Sequence, residues 1–91
     1  MRKFEIEEKL HKTLNKLFKK DNHLYERVWR KIDEIINSYD VEHYKNLRHD
    51  LKDFKRVHIK EKVLVFKFDK TNNKIIFFDF DYHDKIYAKR F

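Results

Sequence analysis

Neither glycine nor proline occurs anywhere in this 91-residue chain, and that absence limits the folds open to it more than any other property. Glycine enters left-handed backbone conformations without steric cost, and proline presets a turn. Every reversal must therefore be built from residues that cap a helix or tolerate turn geometry, which here means Asp, Asn and Lys. Asp21-Asn22, Asn37-Ser38 and Asn72-Asn73 are the natural breakpoints. No repeat, low-complexity linker or shift in composition divides the chain, so residues 1–91 are expected to form one domain around one modest core.

Composition then removes whole classes of function. Charged residues make up 43% of the chain, a level that suggests disorder, but 16% aromatics with many Ile, Val and Leu supply the apolar surface a core needs. Without cysteine, neither a disulfide framework nor a thiolate metal site can form. Without glycine, no glycine-rich phosphate loop can form either. The histidines at 11, 23, 43, 49, 58 and 83 show no metal-ligand spacing, so no metal or other cofactor is expected. Ser38 is the sole serine and falls at a helix end, so the chain offers no candidate serine nucleophile. No apolar run resembles a signal segment or a membrane span, which predicts a cytoplasmic protein with no membrane partner. The formal charge of +7 and a pI near 9.6 point to a polyanion such as nucleic acid or ribosomal RNA. Lysine-rich composition also occurs without any such partner, and charge alone does not decide between the two.

The hydrophobic period changes several times along the chain. Phe4 and Ile6 alternate with charges over 3–7, as in a short strand. Leu10, Leu14, Leu17 and Phe18 recur at helical spacing, predicting a helix over roughly 7–20. Asp21 or Asn22 caps a second helix whose buried stripe runs through Leu24, Val28, Ile32, Ile35 and Tyr39, widened by Tyr25, Trp29 and Ile36. The short link predicts an antiparallel helical hairpin. After an irregular crossing over 40–53, strands are expected at 54–59, 62–69 and 74–82, with a hairpin turn at 69–73 where Asn takes positive φ. This is an α+β plan: an N-terminal strand, a helical hairpin, then a three-stranded antiparallel meander, with the helices on one face of the sheet. The first strand is expected beside the last. The other face is expected to stay open, with Arg56, His58, Asp79 and Asp81 projecting from it and His83 at its edge. Strict alternation would put Phe78, Phe80 and Tyr82 together on the face opposite to Asp79 and Asp81.

The residues able to do chemistry gather around that open face. Arg56 and His58 share a strand side, with Lys52 and Lys55 just before them, and His83 stands four residues before Tyr87. Cutting RNA by its own 2′-OH requires a base, cations to hold the phosphate, and an acid for the leaving 5′-oxygen. Two histidines with an arginine can supply all three, and an aromatic such as Tyr87 can stack on a base. The same residues also read as solvated sheet positions and an aromatic closing the core. Asp79, Asp81 and Asp84 repel phosphate unless they pair with Lys or Arg, or raise the pKa of a neighbouring histidine.

Four stretches, Tyr44-Lys45-Asn46-Leu47-Arg48, Leu51 to Ile59, Val63-Leu64-Val65-Phe66 and Asp79 to Tyr87, make the chain similar to the RelE/ParE superfamily of type II toxins. The likeness is to RelE-type members of archaea and bacteria, including the YafQ-like branch. The resemblance implies a toxin domain that enters the ribosomal A site and cuts the mRNA there by transesterification, with no metal. It implies a cognate antitoxin that wraps the toxin, with operator DNA contacted only through that antitoxin. It places the site on the sheet face away from the helical hairpin. By position, His58 matches the YafQ-like catalytic histidine, Arg56 another cationic position, and His83 and Tyr87 the histidine and aromatic that end the active region. On this scheme His83 is the general acid, His58 the base, and Arg56 with Lys55 stabilises the phosphorane. Lys52 holds backbone phosphate, with Lys62 as a further RNA contact, and Tyr87 orients the nucleotide. The chain departs from RelE at Val63, where an arginine is usual. Lys62 is adjacent but points to the other face. Two other readings stay open: a ParE-like gyrase poison, and a degenerate toxin that only binds antitoxin and nucleic acid.

Overall fold

The computed structural model describes residues 2–89. The elements are β1 (Lys3–Ile6), α1 (Glu8–Lys20), α2 (Asn22–Ile36), two 3₁₀ turns (Val41–His43 and His49–Leu51), β2 (Lys55–Ile59), β3 (Lys62–Asp69), β4 (Lys74–Tyr82) and α3 (His83–Ala88). The sheet order is β1-β4-β3-β2. β1 runs parallel to β4, as the first strand beside the last, and the other two pairings are antiparallel.

Turns without glycine are built as expected from Asp, Asn and Lys. A single residue, Asp21, joins α1 to α2, and its carboxylate accepts the Leu24 N–H at 3.1 Å, capping the second helix. At the β3–β4 hairpin the Asp69 carboxylate accepts from the backbone and side chain of Asn72, and Asn73 takes φ 48°. Lys60 turns β2 into β3 at φ 56°, a left-handed conformation that costs a non-glycine residue about 1–2 kcal/mol.

The principal core lies between the helices and one sheet face. Leu10, Leu14, Val28, Ile32 and Ile35 from the hairpin meet Ile59, Leu64, Phe66, Ile75, Phe77 and Phe80 from the strands. Two aromatics assigned to this stripe by period lie outside it. Phe18 is 54% exposed and meets the Tyr25 ring edge to face at 5.0 Å, while Tyr39 is fully exposed. The Tyr39 error has a local cause. Asn37 ends α2 by donating its amide to the Asp33 carbonyl, so the period stops at Ile36.

The larger correction concerns the far face, which is not open. Leu47, Leu51, Val63, Val65 and Ile86 form a second buried cluster there, with Phe54, Phe78 and Tyr87 against it. A β-bulge makes this possible: Val65 pairs with Asp79 and Phe66 with Phe77, leaving Phe78 between. Phe78 therefore leaves the Phe80 side and meets Phe54 at 5.0 Å, edge to face. α3, which period counting also missed, docks on this second core through Ile86, fully buried.

Candidate active site

A six-residue helix has little stability of its own, so α3 exists by virtue of what it is tied to. Its apolar tie is Ile86. A second tie is polar: the Arg48 N–H donates to the Tyr87 hydroxyl at 2.7 Å, joining α3 to the segment before β2. A third comes from Lys89 just past the helix, whose ammonium donates to Asp79 at 2.6 Å and to Asp81 at 2.8 Å. Asp79 is only 1% exposed, and its other oxygen accepts the Phe80 N–H. Lys9 of α1 approaches the same buried carboxylate at 3.6 Å. Two of the three aspartates that threatened to repel phosphate, Asp79 and Asp81, are thus paired with a lysine, while Asp84 is exposed on α3.

With α3 held this way, His83 and Tyr87 occupy one side of it, one turn apart, and their rings meet edge on at 5.1 Å. β2 runs past them. The His58 ring lies 5.9 Å from the His83 ring, and Arg56, on the same side of β2, lines the same cleft as His83 and Tyr87. The cleft has a volume of about 830 Å³ and its opposite wall is the 46–51 segment. That segment is clamped along β2, with the Leu47 N–H donating to the Phe54 carbonyl and the Arg56 N–H to the Lys45 carbonyl. His49, at φ 59°, brings its ring to 6.3 Å from Tyr87. Four aromatic rings from three separate segments therefore follow one another: His49, Tyr87 and His83 line the cleft, and His58 stands beside His83.

The electrostatics of the cleft follow from these neighbours. Partial burial, and then the charges of Arg56 and His83, hold the His58 imidazole below its ordinary value of 6.5. His58 is consequently neutral at pH 7 and able to accept a proton. Burial pushes Lys89 down, but its hydrogen bonds and ion pairs with Asp79 and Asp81 outweigh this and raise it above 10.5. Burial pushes Asp81 up, yet the Lys89 hydrogen bond, the Tyr82 N–H and the Lys89 and Lys85 charges bring it below 3.8.

Of the residues singled out from sequence, Arg56, His58, His83 and Tyr87 come together. The three lysines do not join them. Lys55 points to the helix side, where its ammonium is taken up by the Tyr44 and Glu42 carbonyls and the Asn46 side chain at 3.0–3.4 Å. Lys62 sits over the rings of Tyr82 and Phe80 at 5.1 and 5.6 Å. Lys52 is exposed on the turn before β2, its carbonyl accepting from Asn46. Val63 belongs to the second core and is fully buried. Sequence reasoning passed over Arg48, His49 and Lys89. The first two lie in an irregular loop without period, and Lys89 is recognisable only once it is seen to meet Asp79.

Among the described residues, no group of three or more His, Asp or Glu side chains could hold a metal ion, and no helix is long and apolar enough to cross a membrane. No family model matches the chain. It is 50% identical over 91 residues to a Methanocaldococcus jannaschii protein named "Putative toxin RelE4", covering 99% of this chain and 95% of the relative. Among solved structures, a metal-bound toxin from Helicobacter pylori superposes with a TM-score of 0.76 at 23% identity, covering 94% of this chain and 99% of that one. The toxin fold of the intact E. coli RelBE toxin–antitoxin complex gives 0.71 at 15% identity, covering 90% and 96%. At these identities the solved structures establish the fold, and the half-identical relative, matched over almost its full length, establishes the family: the chain belongs to the RelE-type toxins.

Proposed function

We propose that this protein is a ribosome-dependent mRNA endonuclease, the toxin of a toxin–antitoxin pair, cutting by transesterification. The observation that carries the reading is the His58–His83 pair, its rings 5.9 Å apart beside a cleft lined by Arg56, His83 and Tyr87. At that spacing two imidazoles can flank one phosphate, one near the attacking oxygen and one near the leaving oxygen. His58, neutral at pH 7, takes the proton from the 2′-OH. That oxygen bonds to the adjacent phosphorus, and the bond to the 5′-oxygen breaks. His83 gives its proton to the 5′-oxygen, so the products are a 2′,3′-cyclic phosphate and a 5′-OH end. The Arg56 guanidinium faces the charge that builds on the phosphorane, where an oriented cation is worth most. Tyr87 offers a ring for the neighbouring base. Lys55 and Lys62 take no part in this scheme, and Lys52 is left as a backbone phosphate contact.

The E. coli likeness includes a complex of toxin with antitoxin, which supports a cognate antitoxin as the partner here. The test is a cell-free translation reaction with mRNA ends mapped by primer extension. Cuts within translated codons, lost in both His58→Ala and His83→Ala, are expected. Intact mRNA with folded wild-type protein would refute the nuclease and leave gyrase inhibition or antitoxin binding as the activity. Full cutting by both variants would refute these two residues as base and acid.

A further inference from the structure

The salt bridge at the end of α3 has no part in the proton transfers, yet it joins the tail of the helix that carries His83 and Tyr87 to the strand beneath it. We propose that Asp79 and Lys89 are positioning residues of the active site: a half-buried ion-pair latch that holds α3 against β4 and so sets the spacing of His83 from His58.

Three observations carry this. The Asp79 carboxylate is 1% exposed, so it is desolvated and depends on its counter-charge. Lys89 spans two carboxylates on alternate residues of β4, at 2.6 and 2.8 Å, which fixes it in direction as well as distance. Its own N–H closes the last turn of α3 on the Ile86 carbonyl at 3.1 Å, so a displacement of Lys89 is a displacement of the helix end. The helix has no side-chain cap at its start, at Tyr82, and six residues do not sustain themselves. Lys9 provides an internal control. It approaches Asp79 at 3.6 Å from α1 and is mostly exposed, so it contributes charge to the carboxylate without holding α3. Asp84 and Lys85, on α3 itself, are exposed.

The geometry of the latch stands by itself, while its consequence for catalysis rests on the nuclease reading; two measurements separate them. The first is the set of NMR cross-peaks between the rings of His58 and His83, and of His83 and Tyr87, in wild type, Lys89→Met, Lys89→Arg and Lys9→Met. Both cross-peaks are expected to disappear in Lys89→Met while those between β3 and β4 persist, and Lys89→Arg and Lys9→Met are expected to keep them. The second is cleavage kinetics. Lys89→Met is expected to lower the maximal rate by on the order of 10²-fold, the scale of a displacement of about 1 Å, with little change in half-saturation. Lys89→Arg is expected to recover most of it. If Lys89→Met fails to fold, Asp79→Asn/Lys89→Met, which leaves no buried charge there, carries the same measurements. Ring cross-peaks unchanged in the folded Lys89 variant would overturn the latch, whatever the enzyme assay shows. Disappearance of the cross-peaks with cleavage unaltered would overturn its role in positioning. Absence of cleavage in the wild type would refute the nuclease and the catalytic consequence, leaving the ring cross-peaks to decide the latch.

Discussion

Replacing Ile86 by alanine tests whether the second core, rather than the sheet or the helical hairpin, builds the active site. Ile86 is fully buried among Leu47, Leu51, Val63 and Val65. The substitution removes three carbons. At about 0.8 kcal/mol per buried methylene the lost transfer energy is roughly 2.4 kcal/mol, and a residual cavity takes Ile→Ala costs into a range of about 2–5 kcal/mol. Two responses are possible, and the structure predicts which one wins. A core element flanked on both sides keeps its place and bears the cavity. α3 is short and terminal to the sheet, so it can peel away, exposing Val63 and Val65 instead. The global loss then stays near the lower end, roughly 2 kcal/mol, or about 8–16 °C in Tm for a chain of this size. Urea denaturation gives the global term, and amide hydrogen exchange gives the local one. Protection is expected to vanish in α3 while β3 stays protected, and the proposed mRNA cutting is expected to go with it. Ile32→Ala, in the principal core, is the contrast: comparable destabilisation with α3 still docked. A loss under about 1 kcal/mol for Ile86→Ala, with α3 amides as protected as in wild type, would refute the claim that this cluster holds the site together.

The remaining predictions concern charge. Because His58 is held below 6.5 in the folded protein, the unfolded chain binds its proton first. Its contribution to stability is therefore complete above pH 6.5 and is lost as the pH falls through the lower folded value; the acid limb of the cleavage profile is expected below 6.5 and is expected to move up in Arg56→Gln. Lys89 has the opposite sign: raised above 10.5, its contribution is complete below that pH and lost as the pH rises through the folded value, which a urea midpoint series in alkaline buffer would show. Lys55→Met is expected to lower stability by about 1–3 kcal/mol through orphaned acceptors, measured by urea midpoint. Its affinity for ribosomes is expected to match wild type, and a loss of affinity equal to that of Arg56→Ala would return Lys55 to the site.

Local rules made the hairpin side of this protein readable. Leu10, Leu14, Val28, Ile32 and Ile35 recur at the helical period because they face one continuous surface, and Asp21 marks the helix boundary because its carboxylate is needed there as a cap. Asn73 could be assigned to the β-turn from residue type alone, since few other residues in this chain take positive φ cheaply. Strand alternation failed at one place, Phe78, where the bulge adds a residue to β4 and reverses the facing of everything before it relative to everything after. Such an inserted residue leaves no trace in a period-2 pattern, because Phe-Phe-Asp-Phe reads equally well in either register.

That one reversal explains most of what was illegible in the site. With Phe78 assigned to the helix face, the far face was read from its charged residues, Arg56, His58, Asp79 and Asp81, and looked open, so nothing called for a helix to cover it. Once Phe78, Val63 and Val65 are placed there, an apolar patch exists that needs a cover, and Ile86 is the apolar residue positioned to provide it. Val63 then has a structural reason to be valine: it is fully buried against Leu47, Leu51, Val65 and Ile86, a packing that a charged side chain would forfeit. The cationic character of the cleft is carried by Arg56 on β2, which reaches it from the edge, and by Arg48 on the opposite wall, while Lys89 returns from beyond α3 to pair with Asp79 and Asp81. The departure at Val63 and the two aspartates on β4 belong to the packing and pairing on which α3, with His83 and Tyr87, rests.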